Sequence, residues 1–166
     1  MSEAIRTYML FFFSILLWVL QLNLQTDSEA HRILKESIEI AAHDAALQNI
    51  ETESARGLII FDRNEALKVC MNDLMYQLRL QEAGAYTLVP LDDSFFQDPI
   101  QIVYEEYIDD SNTPHFPFFY ENTTYGIREI IRGPSVVYVV ETKTPRYFRG
   151  QKKDIQKSVV YEYPYP

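Results

Sequence analysis

The feature that most constrains this chain is its opening run of apolar residues. Tyr8 to Leu20 reads YMLFFFSILLWVL, with one hydroxyl at Ser14, and Leu22 and Leu24 carry the apolar character past Gln21 and Asn23. The stretch from Thr7 to Leu24, about 18 residues, contains no charge. That is near the lower limit for a helix spanning the hydrocarbon core of a bilayer. Tyr8 and Trp18 stand towards its ends, where amphipathic rings favour the membrane interface. Three readings compete: a signal-anchor helix that stays attached, a cleaved signal peptide, and a core helix buried in protein. A cleaved signal needs a basic start and a small-x-small cleavage site. Only Arg6 precedes the run, and QLNLQTDSEA after it has no convincing A-x-A. Three consecutive Phe and the absence of a polar face weigh against a core helix. The expectation is a membrane anchor over residues 1–26, facing lipid through Tyr8, Phe11, Phe12, Phe13, Leu16, Leu17, Trp18 and Leu20. Arg6 on one flank and Arg32 and Lys35 on the other leave the positive-inside rule nearly balanced. A short tail inside and a Tyr-rich acidic body outside is the expected arrangement, a single pass with the C-terminal domain extracytoplasmic.

A stalk helix is expected next, over residues 27–52. Thr26 or Asp27 can cap it, and Asp27 and Glu29 suit its first turn, where the helix dipole favours negative charge. There is no Gly or Pro from Met1 to Arg56, so anchor and stalk can form one helix of about 65 Å. Arg32, Glu36, Glu39 and His43 fall on a narrow polar stripe, while Ile33, Leu34, Ile38, Ile40, Ala41, Ala42 and Ala45 cover much of the rest. An apolar face that wide calls for more than one neighbour. Leu34, Ile38, Ala41 and Ala45 are the candidate packing positions, against the chain's own domain, another copy, or another envelope component. The small alanines would let a second helix approach closely.

Residues 57–166 read as a small α+β domain. Leu58 to Phe61 is a short apolar run and a candidate strand. Asp62 then caps a second helix, with Glu65 as the capping-box partner and Ala66, Leu67, Cys70, Met71, Leu74 and Leu78 as the buried face. The helix is expected to end before Gly84. Candidate strands follow at Tyr86–Leu91, Ile100–Ile108, Phe118–Tyr120, Gly126–Ile131, Ser135–Thr142 and Ser158–Tyr163, with turn formers between them. In the second of these, Ile100–Ile108, Ile102, Tyr104 and Glu106 are expected on one face, opposite Val103 and Glu105. The fold class is therefore α+β: a long N-terminal helix, a second helix, then an antiparallel sheet of four to five strands.

With the anchor set aside, enough chain remains for a core without disulfides or metals. The net charge of −9 falls wholly on the folded part, because Glu3 cancels Arg6. Nucleic acid is a poor partner for such a surface, since phosphate binding needs a positive patch. The single cysteine, Cys70, cannot staple the domain and reads as a small buried residue. His31, His43 and His115 pair with no Cys or carboxylate at ligand spacing, and no P-loop, GxSxG or Gly-rich dinucleotide turn occurs. Asp109-Asp110 with Ser111 and Asn112 offers oxygen donors for calcium but lacks the EF-hand spacing, so turn capping is the expected role. No catalytic residue, cofactor or metal is expected. Arg146, Arg149, Lys152 and Lys153, beside Tyr147 and Phe148, form a local basic loop that reads either as a solvated turn or as a contact for anionic headgroups, wall polymer or an acidic neighbour. Asn122-Thr123-Thr124 matches a glycosylation acceptor, meaningful only in a eukaryotic secretory context.

The run IRTYMLFFFSILLWVLQLNLQ leads straight into the alanine-rich HRILKESIEIAAHDAALQ. Over about the first 50 residues this resembles bacterial TadE/TadG-like pilus-assembly proteins and minor pseudopilins. The matching positions are Ala41, Ala42, Asp44, Ala45 and Ala46. The N-terminus lacks the Gly or Ala before a cleavage point, and the Glu five residues after it, that prepilins carry, so processing by a prepilin peptidase is not expected. The resemblance implies a non-catalytic structural or assembly component of a pilus-like or secretion apparatus in the cell envelope, with the bilayer and other proteins as partners. The alternative is a membrane-tethered extracellular binding or sensor module using aromatic-rich loops such as Phe95-Phe96 or Phe116 to Tyr120.

Overall fold

The computed structural model describes residues 3–113, 115–147 and 151–164. Its first element, α1 (Glu3–Ala46), is a single unbroken helix of 44 residues. No Gly or Pro interrupts it, and the hydroxyls of Thr7 and Thr26 bond back to the carbonyls of Glu3 and Leu22, at 3.0 and 2.9 Å, so neither ends the helix. The expected cap at Thr26 or Asp27 is therefore absent: anchor and stalk are one rod. A short α2 (Glu51–Ser54) leads through an extended segment to α3 (Arg63–Leu78). Asp62 caps α3 as expected, accepting from the Glu65 N–H at 3.1 Å.

Seven strands follow: β1 (Leu80–Gly84), β2 (Thr87–Pro90), β3 (Ile100–Ile108), β4 (Phe118–Asn122), β5 (Ile127–Ile131), β6 (Ser135–Lys143) and β7 (Asp154–Glu162). Five form an antiparallel sheet in the order β1-β2-β3-β6-β7, and β4 and β5 pair separately. The fold is α+β as expected, with a two-stranded ribbon besides the main sheet. The second half of α1, together with α3, covers one face of the sheet, where Leu34, Ile38, Leu74, Tyr138 and Val140 share one core. The ribbon covers the other, where Ile127 and Ile131 meet Val137 and Val139. Strand β6 is thus buried on both faces, which explains its uninterrupted apolar sequence SVVYVV.

Three local expectations change. Leu58 to Phe61 is no regular strand. It is extended, with Ile60 accepting from the Ile50 N–H at 2.9 Å and an isolated bridge joining Phe61 to Asn49. The second helix does end before Gly84, but already at Leu78, because Arg79 turns left-handed (φ 55°) and its N–H bonds back to Met75, which frees Leu80 to Gly84 to become a strand that was not expected. In β3 the register shifts between Ile102 and Tyr104. That bulge sends Ile102 to the helix side, while Val103, Tyr104 and Ile108 face the ribbon.

Candidate functional site

The first half of α1 leaves the rest of the molecule altogether. Its apolar window, the one helix segment among the described residues long and apolar enough to cross a membrane, has none of its residues buried. Tyr8 is 76% exposed, and Phe11, Phe12, Phe13, Leu16, Leu17, Trp18 and Leu20 are all exposed. These eight positions form a continuous apolar surface wrapped around a rod, and such surface on a soluble body normally marks contact with lipid or protein. Further along, Ala30 is the first buried residue of the helix.

Leu34, Ile38, Ala41 and Ala45 have no exposed surface at all. They face the chain's own α3 and β7, so the close-packed second helix is α3 of the same chain. The outward stripe of the stalk is polar as expected: Arg32 bridges Glu29 and Glu36, and Lys35 reaches Glu39 at 3.6 Å. Ile40 is an apolar exception at 51% exposure. Beside it, His43 Nδ1 and the Tyr161 hydroxyl lie 2.8 Å apart and tie the helix to β7. A shallow groove of about 400 Å³ runs there between Glu36, Glu39, Ile40, His43 and Tyr161.

Where the exposed arm meets the body, an ion cluster fastens the two. Asp27 accepts hydrogen bonds from Arg146 Nη1 on one oxygen and from Lys153 Nζ on the other, the latter at 3.1 Å. The Arg146 side chain is only 7% exposed. Its Nε donates to the carbonyl of Gln151 at 3.1 Å and Nη1 also to that of Pro145 at 3.0 Å. Arg146, and then Lys153, hold the Asp27 carboxyl below the usual carboxylate range against the opposing effect of burial. Thr144 closes the neck of the loop: its N–H donates to Lys153 O at 2.8 Å, and its hydroxyl oxygen accepts from the Lys153 N–H at 2.9 Å. Lys152 pairs with Asp98. The basic loop is therefore folded against the helix rather than free in solvent; its expected members Phe148 and Arg149 lie outside the described residues. The sequence had shown the cations and, separately, an acid next to the uncharged run, but not that they meet.

The adjacent acids Asp109-Asp110 and Glu105-Glu106, and Asp93, have structural partners. Asp109, almost fully buried, accepts from the Phe61 N–H at 3.3 Å and the Ser111 N–H at 2.9 Å. Asp110 accepts from the Ile59 N–H at 2.7 Å. The bond from Ser111 is the turn capping expected of Asp109, whereas the pinning of the extended segment before α3 by both carboxylates was not expected. Glu106 accepts from the hydroxyls of Tyr104 (2.6 Å) and Tyr120, and Glu105 from those of Tyr86 (3.0 Å) and Tyr107 (3.3 Å). Asp93 lies 3.6 Å from Arg79. Among the described residues no group of three or more His, Cys, Asp or Glu side chains is placed to hold a metal ion. Cys70 is buried, and burial pushes its thiol far above the usual range, beyond the reach of nucleophilic chemistry near neutral pH. The aromatic loops pack inward in part: Phe95 stands edge-on to the buried Phe96, with ring centres 5.4 Å apart, and Phe116 tilts over Phe118. Phe119 is exposed, opposite the equally exposed Ile130 on the outer side of the ribbon.

Comparison with models of protein families, with curated proteins and with solved structures finds no match to this chain.

Proposed function

We propose that this chain is a membrane-anchored, non-catalytic structural or assembly component of a bacterial cell-envelope apparatus, pilus-like or secretory. The first half of α1 inserts as a single-pass anchor and the α+β head stands outside the cytoplasm. The observation that carries this reading is the division of one helix into two halves. One half is apolar on every side and has no buried residue, while the other is the core helix of a folded head. Water is a poor surrounding for the first half and a bilayer a favourable one. The resemblance of the first 50 or so residues to TadE/TadG-like and minor pseudopilin sequences points the same way.

Membrane fractionation combined with protease accessibility of intact cells tests anchoring and sidedness together. The full chain should sediment with membranes, and its head should be cleaved from outside. A Leu16→Arg, Leu17→Arg double variant should leave the membrane fraction, since each central arginine costs about 2.5–3.5 kcal/mol of insertion. Wild type in the soluble fraction as a monomer would overturn the reading. Assembly is tested by crosslinking from a photoreactive residue at exposed Ile40, because Ala41 is sealed inside the head. Homo- or hetero-oligomeric adducts are expected, and monomer alone would count against an assembly role.

The exposed Phe119–Ile130 pair favours the second reading, a tethered binding module. It predicts that Phe119→Ser abolishes a ligand interaction without affecting membrane association.

A further inference from the structure

We infer that the base of the head is itself a membrane-contact surface, in which Lys152, Lys153 and Tyr147 sit among lipid headgroups and engage their phosphates. The inference rests on the anchoring reading above and adds to it where the head stands relative to the bilayer.

Helix geometry sets the height. A helix rises about 1.5 Å per residue, so the uncharged stretch from Thr7 to Leu24 covers most of a hydrocarbon core about 30 Å thick. The helix continues without a break, which puts Asp27 only about 4–5 Å beyond the core edge. The headgroup region on each side is about 5–7 Å deep. Asp27 therefore lies within it, and Asp27 is the residue that Arg146 and Lys153 hold. The loop is tied to the helix at headgroup level and has no room to stand clear of the surface.

The chemistry of the loop suits that place. Lys153 is 65% exposed although it contacts Asp27, and Tyr147, next to Arg146 in sequence, is an exposed amphipathic ring of the kind that favours the interface. Asp27 is one carboxylate facing two cations, so a positive charge remains unbalanced there. One turn along, His31 has its imidazole pKa lowered, by partial burial first and then by Lys157 and Lys153 against the opposing pull of Asp27. Lys143 is offset by its register partner Asp154 and by Glu141. Lys152 is likewise paired with Asp98, so the positive excess of the base is Arg146 and Lys153 against Asp27, and Lys153 is the cation of that cluster that reaches outward.

The test uses the full chain reconstituted in vesicles of phosphatidylcholine alone, in vesicles of phosphatidylcholine mixed with phosphatidylglycerol, and in a phosphate-free maltoside detergent. Lysine acylation is read by mass spectrometry, with exposed Lys68 on α3 as the internal reference. Relative to detergent, Lys152 and Lys153 should be acylated about fivefold more slowly in the mixed vesicles, with less protection in phosphatidylcholine alone, and salt should restore the rate. Lys68 should not change. A Lys152→Ser, Lys153→Ser variant should still float with vesicles but should lose the added effect of phosphatidylglycerol on loop protection, read by hydrogen exchange at Arg146 and Tyr147. Flotation with Lys152 and Lys153 behaving like Lys68 in every medium would overturn this inference and leave anchoring intact. Failure of the wild-type chain to float would overturn both.

Discussion

Asp44 and Asp73 meet where α1 crosses α3, and the meeting is an uneasy one. One oxygen of Asp73 is buried without a hydrogen-bond partner. Burial, and then the neighbouring Asp44, raise the Asp73 pKa, because an ionised carboxyl there is both poorly solvated and repelled. A group held above its unfolded pKa binds a proton more tightly when folded. Its contribution to stability is full below the ordinary carboxylate range and is lost as pH rises through the folded value. Asp73→Asn supplies a permanent donor and should stabilise the protein by about 1 kcal/mol near neutral pH, with no gain in acid, as read by urea unfolding at two pH values. Asp27 has the opposite sign. Its pKa is lowered, chiefly by the hydrogen bond from Arg146, so its contribution is present above the ordinary carboxylate value and disappears as pH falls through the lowered one. Asp27→Asn should cost about 2 kcal/mol at neutral pH, since Arg146 is left nearly buried with a weakened partner. Cys70 should resist thiol reagents in the folded protein and react only on unfolding.

At the scale of elements, the alanines of α1 act by being small. Ala41, Ala42, Ala45 and Ala46 are all fully buried, which lets α3 and β7 approach the helix closely. Ala45→Phe should overfill that contact and destabilise the head by about 1–3 kcal/mol, measured as a lower urea midpoint with unchanged slope. Much of this layer was legible in sequence. Asp62 and Glu65 announced the start of α3, and Ser135 onward announced a strand, because a capping pair and a continuous apolar run each have one local cause. What was not legible had causes elsewhere. Strand β1 depends on Arg79 adopting a left-handed conformation with no glycine to signal it. The faces of β3 depend on a bulge that simple alternation cannot anticipate. The segment Leu58 to Phe61 looked like a strand because it is apolar, yet its backbone is held largely by Asp109 and Asp110, some fifty residues away.

At the scale of the whole molecule, the exposed arm could be read from composition alone, since no partner is needed to make a helix apolar on every side. The ion cluster at its base could not, because Asp27 and Arg146 stand 119 positions apart and only the finished sheet brings them together. The division of labour along α1 makes a further prediction. A chain beginning at Thr26 retains every buried residue of the helix, so it should be a soluble monomer with a cooperative unfolding transition, whereas the full chain should require detergent or lipid. Size-exclusion chromatography and thermal melts of the two check this, and aggregation of the shortened chain would show that the arm contributes to folding. Finally, a rod without glycine, proline or break, joined to the head by its own core residues, leaves no swivel between the two. Any lean or roll imposed on the arm would be delivered undiminished to the far end of the head, like a turn of the wrist passed along a key.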